Sequence, residues 1–567
     1  MRTHTARLRI LSTTLPMAML AALMLLLLAV PTPTVEAQDD FKSLRKEYEQ
    51  ARKDGARTTM GRVVHKIAET NDPDAAKFLL KELDDDQKAR ARKRAGLPGE
   101  VRGEIIKALS KFNDEKSVEL IGNAALALKS DKDPVLALDQ YDFFLALAGM
   151  KNSPPADKAL RAAIADAKNP FIKVAAIEAA RQAVAKQFAN DVAAVLAETN
   201  EEWHKKWLIV PINVFACLEM LVEPEDTKAA IAVVKAVIEW QERTNCADER
   251  VRYFGGKMLA HVTGEEADMA STFYWKWWVA QMETVGNVAN ANKPEGKRSK
   301  TAATPPVFDT QPVGKRFVFV VDLSDSMKLP LKITLEEIEK RKRERGPVSG
   351  KRKKEKDAEG DDKDPEDNNP LRKLPWKDIT TKFELAREEL SRAIKDFAGD
   401  RWFAVILYGT QHSLFTEGWI QATRENCDKW SRKVKEIDFM GMTNIHGALL
   451  RALRMNKGGD GDKVEHPAVD PDCVLNGADC IVFMTDGWGS WDDQSQNRTK
   501  DKRNNIDNSV GDGPFIYGED IWPDILRHNI FRKVVINCVG IGNHDKDLLK
   551  NLASRSGGTY VDWGFPE

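Results

Sequence analysis

Five residues carry side chains suited to holding a hard divalent cation. Asp322, Ser324 and Ser326 alternate at the end of an apolar run, Phe317-Val318-Phe319-Val320-Val321. Thr443 lies in the loop Gly441-Met442-Thr443-Asn444, and Asp486 closes a second apolar run in Thr485-Asp486-Gly487. Carboxylates and hydroxyls are the oxygen donors that Mg2+ takes in near-ideal octahedral geometry. Two carboxylates leave such an ion poorly neutralised if its other ligands are hydroxyl and water. It would still attract an anion, so the chemistry on offer is cation-mediated capture of an acidic group.

The elements that must position these residues can be read from the pattern. Apolar runs at 316–322, 402–408, 480–485 and 533–541 are nearly unbroken, as expected of strands covered on both faces of a parallel sheet. Helical patterns fit 381–397, 425–437, 444–455, 519–529 and 545–555, and 412–422 fits a more polar, antiparallel edge strand. The alternation predicts a doubly wound, Rossmann-like α/β domain, in which ligands sit at the carboxyl ends of the strands. Asp322 and Asp486 both lie at such ends.

With Asp322-x-Ser324-x-Ser326, Thr443 and Thr485-Asp486-Gly487 in place, residues 315–567, less their insertions, closely resemble a von Willebrand factor type A domain with its metal-ion-dependent adhesion site. The resemblance implies that Ser324, Ser326 and Thr443 give hydroxyl oxygens to Mg2+, with Ca2+ and Mn2+ as the other candidates. Asp322 and Asp486 would give carboxylates, directly or through water, and an acidic residue of a protein partner would fill the open position. Asp325 departs from the pattern, since many relatives carry glycine there. Its carboxylate would either tune cation affinity or face solvent, and solvent exposure is the expectation.

Three segments exceed ordinary loop length: 328–378, 456–478 and 488–518. In alternating topology the first and last follow strands and crowd the metal face, whereas 456–478 lies away from it. The first is highly charged, with basic runs at 340–345 and 351–354 and a mostly acidic run at 357–367. It reads as largely disordered. At about 3.3–3.6 Å per extended residue, its acidic run could reach the protein's own cation and compete with a partner. Trp488 and Trp491 beside Asp486 fit either a binding hot spot or packing under a long loop. His446, one turn into the helix after Thr443, is expected at the surface or as a cap.

The preceding half, 38–286, reads as helix after helix. Val101, Ile105, Ile106 and Leu109 recur at helical spacing, as do Val251, Phe254, Met258 and Leu259. Segments beginning at Pro170 and Asp248 resemble second helices of HEAT repeats, loosely and over about 55–265. That resemblance implies a solenoid offering surfaces to further proteins; an ordinary bundle is the alternative. Tyr274-Trp275-Lys276-Trp277-Trp278 fits a terminal helix sealing the last apolar face. Residues 287–314, rich in Asn, Lys, Thr and Pro, read as a linker.

The chain of 567 residues is 42% hydrophobic, which allows large cores, and its formal net charge is -1. No global basic field points to nucleic acid. Residues 1–37 read as a cleaved signal peptide: an Arg-rich start, the apolar stretch from Leu15 to Val30, then Val35-Glu36-Ala37. Secreted or periplasmic location follows, with no membrane span after cleavage; an uncleaved membrane anchor is the alternative. The six cysteines lack the paired spacing of a zinc site, and Cys473 with Cys480 is the expected local bridge. The functional expectation is an exported adhesion or assembly module, not an enzyme. A metal-dependent hydrolase and a Mg2+-presenting subunit of a larger complex are the alternatives. No Ser/His/Asp arrangement, His-Glu-x-x-His or glycine-rich phosphate loop supports catalysis.

Overall fold

The computed structural model describes residues 41–564 apart from 92–95, 129–133, 151, 167, 199–200, 289–292, 295–305, 338, 341–369, 398, 438–440 and 502–508. The expected signal peptide, much of the linker, and the charged runs from 341 to 369 with their proposed competition lie outside the described residues. The chain divides at Ser117/Val118 into two compact units.

In the first unit, helices Phe41–Lys53, Arg57–Glu69, Pro73–Ala91 and Gly99–Leu109 each bury an apolar stripe. Leu44 and Tyr48, Val63, Val64 and Ile67, Leu79 and Leu83, and Val101, Ile105 and Leu109 face inward at the three- and four-residue spacing of a helix. The Tyr48 hydroxyl donates to Glu82 across 3.2 Å, which meets the polar need of an otherwise apolar interior.

The second unit begins with paired helices. Leu136–Ala148, Pro170–Gln182, Ile209–Leu221 and Glu249–Thr263 pack side by side in one row. Pro154–Asp166, Ala189–Ala194, Thr227–Thr244 and Thr272–Thr284 form an outer row. Asn169 caps its helix by accepting from the Phe171 N–H ahead of a favourable proline, and Asp248 caps the last inner helix. Tyr274, Trp275 and Trp278 are buried on the terminal helix. Among the described residues no helix is long and apolar enough to cross a membrane.

The α/β layer follows. Its strands are β1 (Arg316–Asp322), β2 (Trp402–Tyr408), β3 (His412–Leu414), β4 (Ile420–Gln421), β5 (Cys480–Thr485), β6 (Arg498–Lys500), β7 (Ser509–Gly511), β8 (Val535–Ile541) and β9 (Tyr560–Trp563). The main sheet runs β3-β2-β1-β5-β8-β9, with β4 also on β2. From β2 to β9 it is parallel, and β3 and β4 are antiparallel additions at the edge, as the polar 412–422 segment predicts. Phe317 to Val321 are all buried, because helices cover both faces. Burying each such side chain is worth roughly 1.5–3 kcal/mol relative to exposure. Helices Ile445–Arg454, Gly518–His528 and Lys546–Ser556 contribute to the core on one face. On the other, Phe317 meets Phe397 edge-on at 4.6 Å.

The helical rows and the sheet form one unit. Residues just before the strands receive the inner row, one helix after another. Arg527 pairs bidentately with Asp142 (2.7 and 2.9 Å), and Lys533 pairs with Glu178 (2.8 Å). Asn213 donates to the Phe531 carbonyl, and Arg250 to Asp479 and the Arg532 carbonyl. Tyr253 donates to the Gly557 carbonyl. The inner row therefore covers the amino edge of the sheet, opposite the strand ends that carry Asp322 and Asp486. The surface expected to await further proteins is, for the inner row, covered by the chain's own α/β layer.

Two expectations are corrected. All six cysteines are free thiols. Cys473 Sγ points to the Arg454 carbonyl (3.3 Å), whereas Cys480 accepts from Asn537 inside the sheet (3.4 Å). The end of the linker is packed, not loose. Val307 and Phe308 are fully buried, and Phe308 lies 5.3 Å from the Trp563 ring.

Candidate functional site

Three adjacent strands deliver the polar groups. β1 ends at Asp322, paired in register with Tyr408 at the end of β2, and β5 ends at Thr485. Past those ends the sheet ladder stops, and side chains take over the hydrogen bonding. The Ser324 N–H donates to Asp322 Oδ1 (2.8 Å), and Thr485 Oγ1 donates to Asp322 Oδ2 (2.7 Å). The Tyr408 hydroxyl donates to Asp322 Oδ2, also at 3.2 Å from the Met484 carbonyl. Ser324 Oγ lies 3.0 Å from Ser326 Oγ, which donates to Asp486 Oδ1 (2.7 Å).

Thr443 joins through backbone geometry. The Asp325 N–H donates to the Gly441 carbonyl (2.8 Å), drawing the 441–443 loop beside the first motif. Gly441 has φ +77, and a Cβ there would lie 2.7 Å from Thr410 Oγ1, so glycine is required on both counts. Asn444 then caps the Ile445–Arg454 helix by accepting from the Gly447 N–H (2.9 Å). A methyl group on Gly487 would sit 3.6 Å from Ser326 Oγ and 3.9 Å from Thr443 Oγ1. All five predicted residues thus meet at one place, and Asp322, Ser324, Thr443 and Asp486 are buried.

Burial, followed by the nearby Asp486 carboxylate, pushes Asp322 up to about 6 against the opposing hydrogen bonds. Two sheltered carboxylates framed by hydroxyls form a donor set that fits a small, hard dication. Among the described residues no group of three or more His, Cys, Asp or Glu side chains could hold a metal ion, so this constellation depends on its hydroxyls. Sequence reasoning missed Lys382. Its Nζ donates to Asp486 Oδ2 across 2.5 Å, with both side chains almost wholly sheltered. The signal was its place in the first turn of the helix after the long insertion. That place becomes meaningful only when Leu331 N bonds the Thr380 carbonyl (2.8 Å) and closes the insertion's stem.

The sequence profile of the von Willebrand factor type A domain family matches residues 379–562. The carboxy-terminal region is a von Willebrand factor type A domain. Part of the chain is also similar to inter-alpha-trypsin inhibitor heavy chain H3. With the Pongo abelii protein it is 28% identical over 131 residues, 23% of this chain and 14% of the relative. With the Bos taurus protein it is 28% identical over 161 residues, 28% and 17% of the two lengths. The matches therefore span only about a seventh to a sixth of those relatives. The solved proximal thread matrix protein 1 from the mussel byssus aligns over 44% of this chain and 41% of its own, at 14% identity and TM-score 0.22.

The family match begins after the first insertion, yet β1 lies at the centre of the type A sheet, between β2 and β5. The domain is thus completed by the segment carrying Asp322, Ser324 and Ser326. The 488–518 insertion lies on this face: the Ser490 N–H donates to the Thr443 carbonyl (3.0 Å), and Ser490 Oγ accepts from the Thr443 N–H (3.1 Å). Asp325 is exposed, as expected, and it pairs with Lys328. Trp488 is 53% exposed, whereas Trp491 is partly covered by the insertion.

Two placements differ from expectation. His446 is buried, stacked at 4.2 Å on Phe515 and bonded to Asp524 (2.8 Å), because the 488–518 insertion folds over it. The 456–478 segment also reaches toward this face. Arg451 draws in Asp460 and Asp462, and Asp462 lines a polar cavity of about 370 Å³ with His412, Trp491 and Asp493.

Proposed function

We propose that this chain is an exported protein-binding module of the adhesion or assembly kind. Its type A domain would engage an acidic residue of a protein partner through a divalent cation, Mg2+ in the first instance. Asp322, Ser324, Ser326, Thr443 and Asp486 would hold that cation, and the helical, HEAT-like part is the scaffold. The observation that carries this reading is the linked set running from Asp322 through Ser324 and Ser326 to Asp486, beside Thr443 at the strand ends. The cation would supply a positive centre for the partner's carboxylate. The chain's residues orient the oxygen donors, and the docked helices leave that edge of the sheet uncovered by the inner row.

A hydrolytic reading would require a base near these donors. Asp325 is turned out to Lys328, and His446 is held by Asp524 under Phe515, which favours the binding reading. The test is calorimetric titration of the full chain with Mg2+ and Mn2+, followed by binding to immobilised Asp- and Glu-containing peptides with and without EDTA. Cation binding and EDTA-sensitive peptide capture, both lost in Asp486→Ala, support the proposal. Cation-independent capture would overturn it.

A further inference from the structure

Lys382 places an ammonium where a ligated dication would otherwise neutralise Asp486. Its side chain is 3% exposed and that of Asp486 is 0% exposed. Both carboxylate oxygens are engaged: Oδ1 accepts from Ser326 (2.7 Å) and Oδ2 from Lys382 (2.5 Å).

The lysine is held there by its backbone. Thr381 caps the Lys382–Asp396 helix in a capping box, and Glu384 Oε2 accepts from the Thr380 and Thr381 N–H groups (2.7 and 2.9 Å). The Lys382 N–H donates to the Leu329 carbonyl (3.3 Å), three residues past Ser326. The first turn of the helix is therefore pinned to the segment that carries the serines. A lysine side chain is a compact charge on a flexible four-carbon stem, able to leave while its Cα stays. A dication bound by Asp486 would sit about 2.0–2.1 Å from a carboxylate oxygen. Two cationic groups that close repel strongly where little water screens them.

We infer that Lys382 is the resident counter-charge of this site, and that its ammonium and a divalent cation are alternative occupants of Asp486. The inference rests on the cation-binding reading above. With the lysine inward, the Asp486 charge is neutralised and the site is folded without a metal. With a cation bound, the ammonium is displaced toward the rim, where it can meet a partner's carboxylate. Cation affinity is set low by this competition, so partner binding responds to the cation concentration around the protein.

The test compares the full chain with Lys382→Met, Lys382→Gln, Asp486→Asn and the double variant Lys382→Met/Asp486→Asn. Mn2+ binding is read from the loss of the free-ion electron paramagnetic resonance signal, and thermal midpoints are taken in EDTA and in excess Mg2+. Both Lys382 variants should bind Mn2+ at least tenfold more tightly than the natural chain. They should melt lower in EDTA and gain more from Mg2+. The double variant, with the charge pair removed, should regain its midpoint in EDTA and bind no Mn2+. Should Lys382→Met not fold, Lys382→Gln retains a donor for Asp486 and decides the question. If the natural chain binds Mn2+ and the Lys382 variants bind no more tightly, the competition is overturned while the cation reading stands. If none of these chains binds Mn2+, both fail, and the pair is a permanent structural ion pair.

Discussion

Lys533, just before β8, donates to Glu178 of the Pro170–Gln182 helix across 2.8 Å, and Glu178 also takes two hydrogen bonds from Arg181 (2.7 and 2.8 Å). One buried carboxylate thus serves two cations where the helical rows meet the type A domain. Burial alone would raise Glu178, but Arg181 and Lys533 outweigh it and hold the carboxyl down to about 2. Burial, with Arg181 adding repulsion, pulls Lys533 down to about 8.

Glu178→Gln should therefore be the most damaging conservative change at this junction. It leaves two cations without their carboxylate, at a cost of about 3–5 kcal/mol. Urea unfolding at neutral pH measures it, and adding Lys533→Met should recover part of the loss. The folded pKa of Glu178 lies below its ordinary 4.5, so its stabilising share is present above about 4.5 and disappears as pH falls toward 2. A Glu178→Gln unfolding free energy that differs from the natural one by less than about 1 kcal/mol would sink this account.

His528 governs a milder acid response. Burial pulls it down to about 4, despite the Asp524 carboxylate 3.5 Å away. Its folded pKa lies below 6.5, so the unfolded chain binds more protons in between and stability falls as pH drops from 6.5 to 4. The loss should reach about 2–3 kcal/mol, allowing for its partial exposure. Urea midpoints across that range should show the slope, and His528→Gln should flatten it.

Asp322 should trade stability for binding. Its carboxylate is fully buried near a second carboxylate. Asp322→Asn removes that charge while keeping an oxygen for the Ser324 N–H. In EDTA the variant should melt higher, by the equivalent of about 1–3 kcal/mol, and calorimetry should show loss of Mg2+ binding. A lower midpoint in EDTA would refute the trade.

Gly487→Ala should fold normally, because its methyl group would make ordinary contacts of 3.6 and 3.9 Å. The same methyl lies against Ser326 Oγ and Thr443 Oγ1, so Mn2+ affinity should fall at least tenfold. Unchanged affinity would place the cation elsewhere.

Excising 341–369 in favour of a short Gly-Ser linker should leave the fold intact. The stem is closed by the bridge between Pro330 and Thr381 and by the Leu331–Thr380 hydrogen bond. Halving such a loop changes closure entropy by only about 0.6 kcal/mol. A thermal midpoint shifted by more than about 8 °C would show that the insertion has a structural role.

The four central strands and the helices between them were legible because parallel strands buried on both faces leave unbroken apolar runs. β9 was missed because Tyr560–Trp563 is short and alternates buried and half-buried residues at the sheet edge. The β6–β7 hairpin is missing from the sequence reading because Arg498–Lys500 is entirely exposed and carries no apolar signal. His446 read as a surface residue because its cover, Phe515, lies far along the chain in an insertion with no periodic pattern.

Local pattern and side-chain chemistry alone determined the α/β class, the strand ends and the five oxygen-bearing residues, since alternation and donor type are properties of short segments. Only the tertiary structure decided what surrounds them. It brought Lys382 to Asp486 across a long insertion, closed the inner helical row over the amino edge of the sheet, and put one carboxylate between Arg181 and Lys533. The Lys382–Asp486 and Lys533–Glu178 pairs join residues more than a hundred positions apart, and no local periodicity records them. They form because charges taken out of water in separate elements find each other as those elements pack.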